Sequence, residues 1–451
     1  MAESEQETRL NAAHPGGELE DFRRRARSWL AEHAVVRDDA GRRGAGSGGT
    51  GPRDAGPQEA GSAPGAGAGQ GSDDVSVFHN LSFAQEQALI ERVAAWQRQK
   101  FDAGFGALGW PPEHGGAGLG PEFVEAFAAE EERYDIPAPH ELVSVTVSLI
   151  APTIRLVGTP EQRDLLMRTF LRCDSLCCQL FSEPGAGSDL AALATRAVRD
   201  GDEWVVSGQK VWSSGAQFAE WGMLLTRTDP DVPKHAGITA FLLRLDSPGV
   251  TVRPLRQMSG GTSFNEVFLD DVRIPDSLRL GEVGAGWKVA LTTLGFEREG
   301  SGGGHPRVGG GWRELAPLAR ALGRLDDPLV RQRLADVYIS ERLAEVAALR
   351  EAHDRRAGRP PGPEGSFRKL HWVTGMALAS RAAELLLGPR LAADTGEWGT
   401  FAWTSHVLGA PGYRIAGGSD EIQRNIIAER ILGLPGDARV DRDRPWREIP
   451  R

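Results

Sequence analysis

Three regimes of hydrophobic spacing follow one another along this 451-residue chain, and their order restricts the fold more than any single motif does. Up to about residue 171, apolar side chains recur at helical spacing. Leu19, Phe22, Ala26, Trp29 and Leu30 share one stretch, and Leu89, Val93 and Trp96 share the face of another at 83–101. Further helices are predicted at 121–134, 142–156 and 160–171. From Glu203 to Val272 the runs become short, rich in Val, Leu, Ile and Phe, and are divided by Asp, Pro and Gly. Strands are predicted at 203–206 and 209–213 around a tight turn at Ser207–Gly208, then at 222–227, 238–245, 250–255 and 264–272. No helix alternates with them, so a doubly wound parallel sheet is a poor fit and an antiparallel barrel or sandwich is expected. Helical spacing resumes at 287–296, 312–325, 329–354, 367–387 and 421–432. The expected class is α+β: an N-terminal helical domain (1–178), a central antiparallel β domain (179–285), a C-terminal helical bundle (286–436) and a tail (437–451).

Residues 40–72 are mostly Gly, Ala, Pro, Arg, Asp and Ser and hold no apolar run that could offset the entropy of ordering them; they are read as a disordered loop. No strand precedes these glycines and no Gly-Lys-Ser/Thr follows, so they do not form a phosphate cradle, and Gly302–Gly311 is a loop for the same reason. A formal charge of −10 argues against a general nucleic-acid binder. The first residues lack an apolar segment, and no run of about 18 apolar residues occurs, so neither a signal peptide nor a membrane span is expected and the cytoplasm follows by default. Cys173, Cys177 and Cys178 fit neither a disulfide framework nor zinc spacing and are expected to be buried thiols. His114, His235 and His371 show no metal spacing and are read as structural.

Two stretches carry candidate chemistry. In Gln179–Asp189 a short apolar strand runs into Phe181 and Ser182, then into a turn with Gly185, Gly187, Ser188 and Asp189. The glycines would let a ligand approach the backbone and the hydroxyls could donate to it; a plain surface turn fits the same residues. In Gly208–Gly215, Trp212 could stack on a flat ring whose edge Ser213 and Ser214 would bond, although a core tryptophan is the simpler reading of that stretch alone.

Together, and with Arg414–Arg430 downstream, these stretches resemble the acyl-CoA dehydrogenase family over about residues 81–435. The run Ser182-Glu-Pro-Gly-Ala-Gly-Ser-Asp189 is the most specific part. The resemblance implies a helical domain, a β domain and a four-helix bundle, in the order read above. It implies bound FAD, with Phe181, Ser182, Gly187 and Ser188 lining the flavin and the thioester end of the substrate. It places Trp212, Ser213 and Ser214 beside the isoalloxazine ring, and Ser419 and Glu421 at a helix start that contacts FAD. Ser419 also suits an N-cap, with acidic residues after it. Ser188, Arg298 and Gly417 are the implied substrate contacts, the Gly417 amide serving the thioester oxygen.

The reaction so implied removes a weakly acidic α-proton while the β-carbon delivers hydride to the flavin. A carboxylate in a dry pocket suits that task. In medium- and short-chain members the base lies just before the Gly-Thr/Ser segment; here that position is Gly417, which has no side chain. In long-chain and isovaleryl members it comes from an earlier helix, one residue before an arginine. Glu297, before Arg298, matches that arrangement, with Glu299 as the fallback; in isolation Glu-Arg-Glu reads as a solvated helix end.

One departure bears on assembly. Homotetrameric members carry an Arg, a Phe-Gly and a Gln that reach a neighbour's FAD. Here 318–330 offers Arg320, Arg324 and Asp326–Asp327–Pro328 without the Phe-Gly or the Gln, and Leu385–Pro389 replaces the Ile-Leu-Gly-Gly turn. The chain therefore resembles catalytic subunits of heteromeric bacterial dehydrogenases, including those acting on sterol side chains. A heterotetramer with a second acyl-CoA dehydrogenase-like subunit stands beside a homo-oligomer. The substrate is expected to be an acyl-CoA or acyl-carrier-protein thioester, and the acceptor an electron-transfer flavoprotein. An oxidase or flavin monooxygenase on the same fold, and a non-catalytic subunit, are the alternatives.

Overall fold

The computed structural model describes residues 15–37, 75–78, 80–300, 309–357, 359, 362–392, 400–436, 438 and 441–449; side chains at 15–16, 298–300, 355–356 and 401 are not described. The glycine-rich stretch at 40–72 lies outside the described residues, as does most of 302–311.

The N-terminal helices are α1 (Pro15–His33), α2 (Phe83–Asp102), α3 (Pro121–Glu131), α4 (Glu141–Val145), α5 (Ala151–Val157) and α6 (Pro160–Arg172). Their ends follow local chemistry. Ser82 and Thr159 each close a capping box with the glutamine three residues on, and Pro160 opens α6 where no amide partner is needed. A π turn at Thr146–Ile150 joins α4 to α5. Phe22, Ala26 and Leu30 of α1 pack on Trp96, Ala126 and Phe127. The strands β1 (Val35–Val36) and β2 (Tyr134–Asp135) pair antiparallel beside them.

The β domain comprises β3 (Cys177–Leu180), β4 (Arg196–Asp200), β5 (Glu203–Ser214), β6 (Trp221–Arg227), β7 (Ile238–Arg244), β8 (Val250–Leu255), β9 (Phe264–Pro275) and β10 (Arg279–Leu280). Their order is β10-β7-β6-β4-β5-β9-β8, mostly antiparallel, with β3 pairing parallel to β6. The tight turn expected at Ser207–Gly208 is instead a bulge within one strand. Both halves of β5 pair with β9, and the register shifts between Val206 and Gly208. Gly208 is required there, because a Cβ would stand 2.5 Å from Thr195 Oγ1.

The C-terminal helices are α7 (Gly286–Gly300), α8 (Trp312–Ala321), α9 (Pro328–Arg356), α10 (Gly365–Leu387), α11 (Thr400–Tyr413) and α12 (Asp420–Ile426). Sequence periodicity missed α11, which carries Pro411 and glycines and is apolar on several faces. Leu315, Leu318, Val330, Leu334, Ala383, Leu386 and Trp403 form the bundle core. A separate core of Phe170, Leu171, Met223, Leu242, Val289 and Ala290 joins the helical domain, the sheet and α7. Each such large side chain contributes about 1.5–3 kcal/mol on burial, so the three units are held by continuous packing. The segment 441–449 folds back on the sheet. The Trp446 amide donates to Val232 O at 2.9 Å, its indole nitrogen to Ala192 O at 3.2 Å, and the Arg227 guanidinium lies 4.8 Å over its ring.

Candidate active site

The loop after β3 is fixed from beneath by a buried ion pair. Lys210 Nζ lies 2.8 Å from Glu183 Oε1 and donates to Phe181 O at 3.1 Å. Glu183 also accepts from the amides of Ala194 (2.6 Å) and Thr195 (2.9 Å). Burial would raise the Glu183 carboxyl, but the Lys210 charge and these hydrogen bonds outweigh it and hold it below the usual range. The same burial pulls the Lys210 ammonium down against the pull of Glu183. The Val211 amide donates to Ser182 O at 2.9 Å, so the loop runs beside β5. Its outer side stays open. Gly185 and Gly187 have free space where a Cβ would stand, and Ser188 and Asp189 are exposed.

At the far end of β5, Trp212 adopts a left-handed backbone, φ 62°, and its side chain is 61% exposed. A bulky residue in that conformation is strained, and such strain concentrates at functional sites. Phe264 meets its ring edge-on at 6.1 Å. Ser213 turns inward, 2% exposed, so of the three residues matched to the flavin edge Trp212 and Ser214 face the open side. Exposed aromatic surface, uncrowded glycines and nearby hydroxyls fit a flat, polar-edged group such as a flavin.

The candidate base arrives on α7. Gly286 lets the helix start against β7, since a Cβ there would stand 2.7 Å from the Thr239 backbone. Val289 and Ala290 are buried, and Thr293 Oγ1 meets Thr153 Oγ1 at 3.0 Å, which fixes the helix rotation. One turn later Glu297 is half-buried. Its Oε1 lies 2.8 Å from the point where a Cβ on Gly417 would stand. Gly417 and Gly418 are both left-handed, φ 64° and 88°. Gln423 Nε2 donates to their carbonyls at 3.0 and 3.2 Å, and Lys369 Nζ donates to Gly418 O at 2.9 Å. Burial pulls the Lys369 ammonium down, while the charges of Asp420 and Glu297 oppose it. Ser419 caps α12 as expected, accepting from the Ile422 amide at 3.4 Å, whereas Glu421 is exposed. The side chains of Arg298 and Glu299 lie outside the described residues.

Family models cover most of the chain: "Acyl-CoA dehydrogenase, N-terminal domain" at 82–173, "middle domain" at 178–272 and "C-terminal domain" at 284–432. The chain is 41% identical to acyl-CoA dehydrogenase IpdE1 of Mycobacterium tuberculosis, a match covering 79% of this chain and 91% of that one. It is 35% identical to IpdE1 of Mycolicibacterium smegmatis, covering 94% and 99%. The chain belongs to the acyl-CoA dehydrogenase family. Among solved structures it resembles the Tcur3481-Tcur3483 steroid ACAD, with TM-score 0.67, 28% identity, and coverage of 79% of this chain and 94% of that one. It also resembles the ChsE4-ChsE5 complex from Mycobacterium tuberculosis, with TM-score 0.64, 26% identity, and coverage of 95% and 100%.

Members of this family are flavoproteins, so the chain is an oxidoreductase of the acyl-CoA dehydrogenase class. Among the described residues no helix is long and apolar enough to cross a membrane. Several residues around the candidate site escaped the sequence reading. Lys369 sits in a helix with no motif around it and reaches the Gly418 carbonyl only through packing. Glu183 and Lys210 did leave a signal, since they are opposite charges inside the two motifs that carry the resemblance.

Proposed function

We propose that this chain catalyses α,β-dehydrogenation of an acyl-CoA thioester with FAD bound, and that Glu297 removes the α-proton. The observation that carries the reading is the Glu297 carboxylate standing over side-chain-free Gly417. The carboxylate occupies the room that a glutamate at position 417 would fill, which supports this chain's base coming from α7. When bound, the flavin supplies the acceptor for the β-hydride. Glu297 takes the α-proton in the same event, and its half-buried position limits competition from water. The Gly417 amide is available to donate to the thioester oxygen as negative charge grows there. Trp212 offers a flat wall to the ring system, and Ser182, Ser188 and Ser214 offer donors around it.

The reading extends to assembly with a second acyl-CoA dehydrogenase-like subunit and to an electron-transfer flavoprotein as acceptor. Ile339, Leu343, Val346 and Leu349 form an exposed apolar stripe along α9, between 54% and 71% exposed, and such a face supports burial against another polypeptide. The Phe-Gly and the Gln by which homotetrameric members reach a neighbour's FAD are absent from 318–330. Arg324 is committed within its own bundle, to Leu385 O at 2.7 Å and Asp327 at 2.6 Å. ChsE4-ChsE5 is described as a complex, which supports the same assembly here.

The test is anaerobic mixing of the FAD-loaded protein, with its partner where one is needed, with acyl-CoA thioesters. Flavin bleaching with enoyl-CoA formation is expected, and little peroxide on admitting oxygen. Stoichiometric peroxide would assign an oxidase instead, and unchanged bleaching in Glu297→Gln would remove Glu297 from the chemistry.

A further inference from the structure

The Gly417–Gly418 turn is held by donors from two helices. Two consecutive glycines leave a backbone free to rotate, and both are left-handed here, φ 64° and 88°, so their neighbours must impose the conformation. Part of the hold is local. The Asp420 amide donates to Arg414 O at 3.0 Å, and the Arg414 guanidinium pairs with the Asp420 carboxylate at 2.7 Å. Gln423 Nε2 donates to the carbonyls of Gly417 and Gly418 at 3.0 and 3.2 Å. A further bond comes from 49 residues earlier in the chain, where Lys369 Nζ on α10 donates to Gly418 O at 2.9 Å.

Lys369 stands where the helix period calls for an apolar residue. Ser366, Lys369, Val373 and Met376 follow one another at spacings of three and four along α10 and are all buried, Lys369 being 6% exposed. A methionine would fit that face without loss of hydration, whereas an ammonium gives up most of its water there. What the lysine gains is the hydrogen bond to Gly418 O. That carbonyl belongs to the turn over which the Glu297 carboxylate stands, with Oε1 2.8 Å from the site of a Gly417 Cβ. Helix α10 packs against both α7, which carries Glu297, and α12, which follows the turn. Lys369 therefore ties the turn to the helix that lies against both.

We propose that Lys369 is a positioning residue for removal of the α-proton: by holding Gly418 O it keeps the Gly417 amide aimed at the thioester oxygen and the space over Gly417 open to Glu297. The proposal rests on the reading that Glu297 is the base, and deepens it. In that step the α-carbon–hydrogen bond breaks and the proton passes to the Glu297 carboxylate. The electron pair moves toward the carbonyl, whose oxygen gains negative charge beside the Gly417 amide, and settles in the 2,3 double bond once the β-hydride has left for the bound acceptor. Base and amide donor thus depend on one turn. A misplacement of about 1 Å, caused away from the reacting atoms, can cost about 10²-fold in rate.

The experiment uses the FAD-loaded protein, with its partner where needed, and compares the wild type with Lys369→Met, Lys369→Arg and Gln423→Met. One probe is an acyl-CoA that bleaches the wild-type flavin, followed by stopped flow. The other is a 3-thia-acyl-CoA, whose α-proton is acidic enough to leave at equilibrium but which passes no hydride on. Its enolate is read from the long-wavelength charge-transfer band with oxidised flavin. Lys369→Met should lower flavin reduction per bound flavin by about 10–100-fold and the enolate fraction with it, while KM changes by less than about 3-fold. Lys369→Arg, which keeps a donor, should recover part of both. Gln423→Met removes the neighbouring donor from the same turn and should show the same split, so it carries the test where Lys369→Met fails to bind FAD. Wild-type reduction and enolate fraction per bound flavin in these variants overturn the proposal. So does a loss confined to flavin content or melting temperature, which assigns Lys369 to the fold alone. Failure of the underlying reading looks different: no thioester bleaches the wild-type flavin, or Glu297→Gln forms the enolate as the wild type does.

Discussion

Glu297 Oε1 and Gly417 share one small space: the oxygen lies 2.8 Å from the position of a Cβ that the glycine does not have. A side chain at 417 and the observed placement of Glu297 exclude each other. Gly417→Ala should therefore displace the Glu297 carboxylate and also strain a backbone at φ 64°, at about 1–2 kcal/mol. A lower kcat with flavin content retained is the expected result, read by stopped-flow bleaching. Wild-type kcat would show that the site tolerates the extra carbon.

Replacing the proposed base should have the larger effect. Glu297→Gln keeps the volume and removes the proton acceptor, and general-base catalysis is worth about 10²–10⁴-fold. Single-turnover flavin reduction should fall by that factor, with substrate affinity nearly unchanged in a binding titration.

The Lys210–Glu183 pair is fully enclosed on the lysine side, 0% exposed. Lys210→Met leaves a buried carboxylate without its cation, which costs about 3–5 kcal/mol, and Lys210→Met with Glu183→Gln should recover much of it. Thermal melts of the three proteins test this. The sign with pH follows from the lowered Glu183 carboxyl. Its contribution is present above the usual carboxylate pKa and is lost as pH falls through the lower folded value.

Cys173, Cys177 and Cys178 are buried, and burial pushes the thiols of Cys173 and Cys178 up to about 12. At pH 8 the folded protein should not react with a thiol reagent, and three equivalents should be consumed on denaturation. Fast reaction in the native protein would contradict the packing of β3.

The segment 441–449 reaches the loop after β3 through Lys234. Its ammonium lies 2.9 Å from Asp189 and 2.6 Å from Asp441. Trp446→Ala removes the ring under Arg227 and the bond to Ala192 O, and should loosen both the tail and the loop. Faster proteolysis near the C-terminus and weaker retention of FAD on dilution are expected. Unchanged values for both would mean the tail only covers the sheet.

Spacing alone was enough to read helix, sheet and helix in order, because each element buries a face and the period of that face is written in the chain. Ser419 was legible as a cap for the same local reason. Glu297 was legible only through its resemblance to one family arrangement and the glycine at 417. Two features were misread locally. Gly208 marks a bulge rather than a turn, since Thr195 crowds it from another strand. Helix α11 is carried by tertiary burial despite its prolyl and glycyl residues. What the sequence by itself determined is the succession of elements and the residues able to do chemistry. Only the tertiary structure decided that Glu297 would stand over Gly417, and that Lys369 would reach the Gly418 carbonyl beside it. Those contacts join segments far apart in the chain, so they depend on how whole faces pack, which no local period encodes.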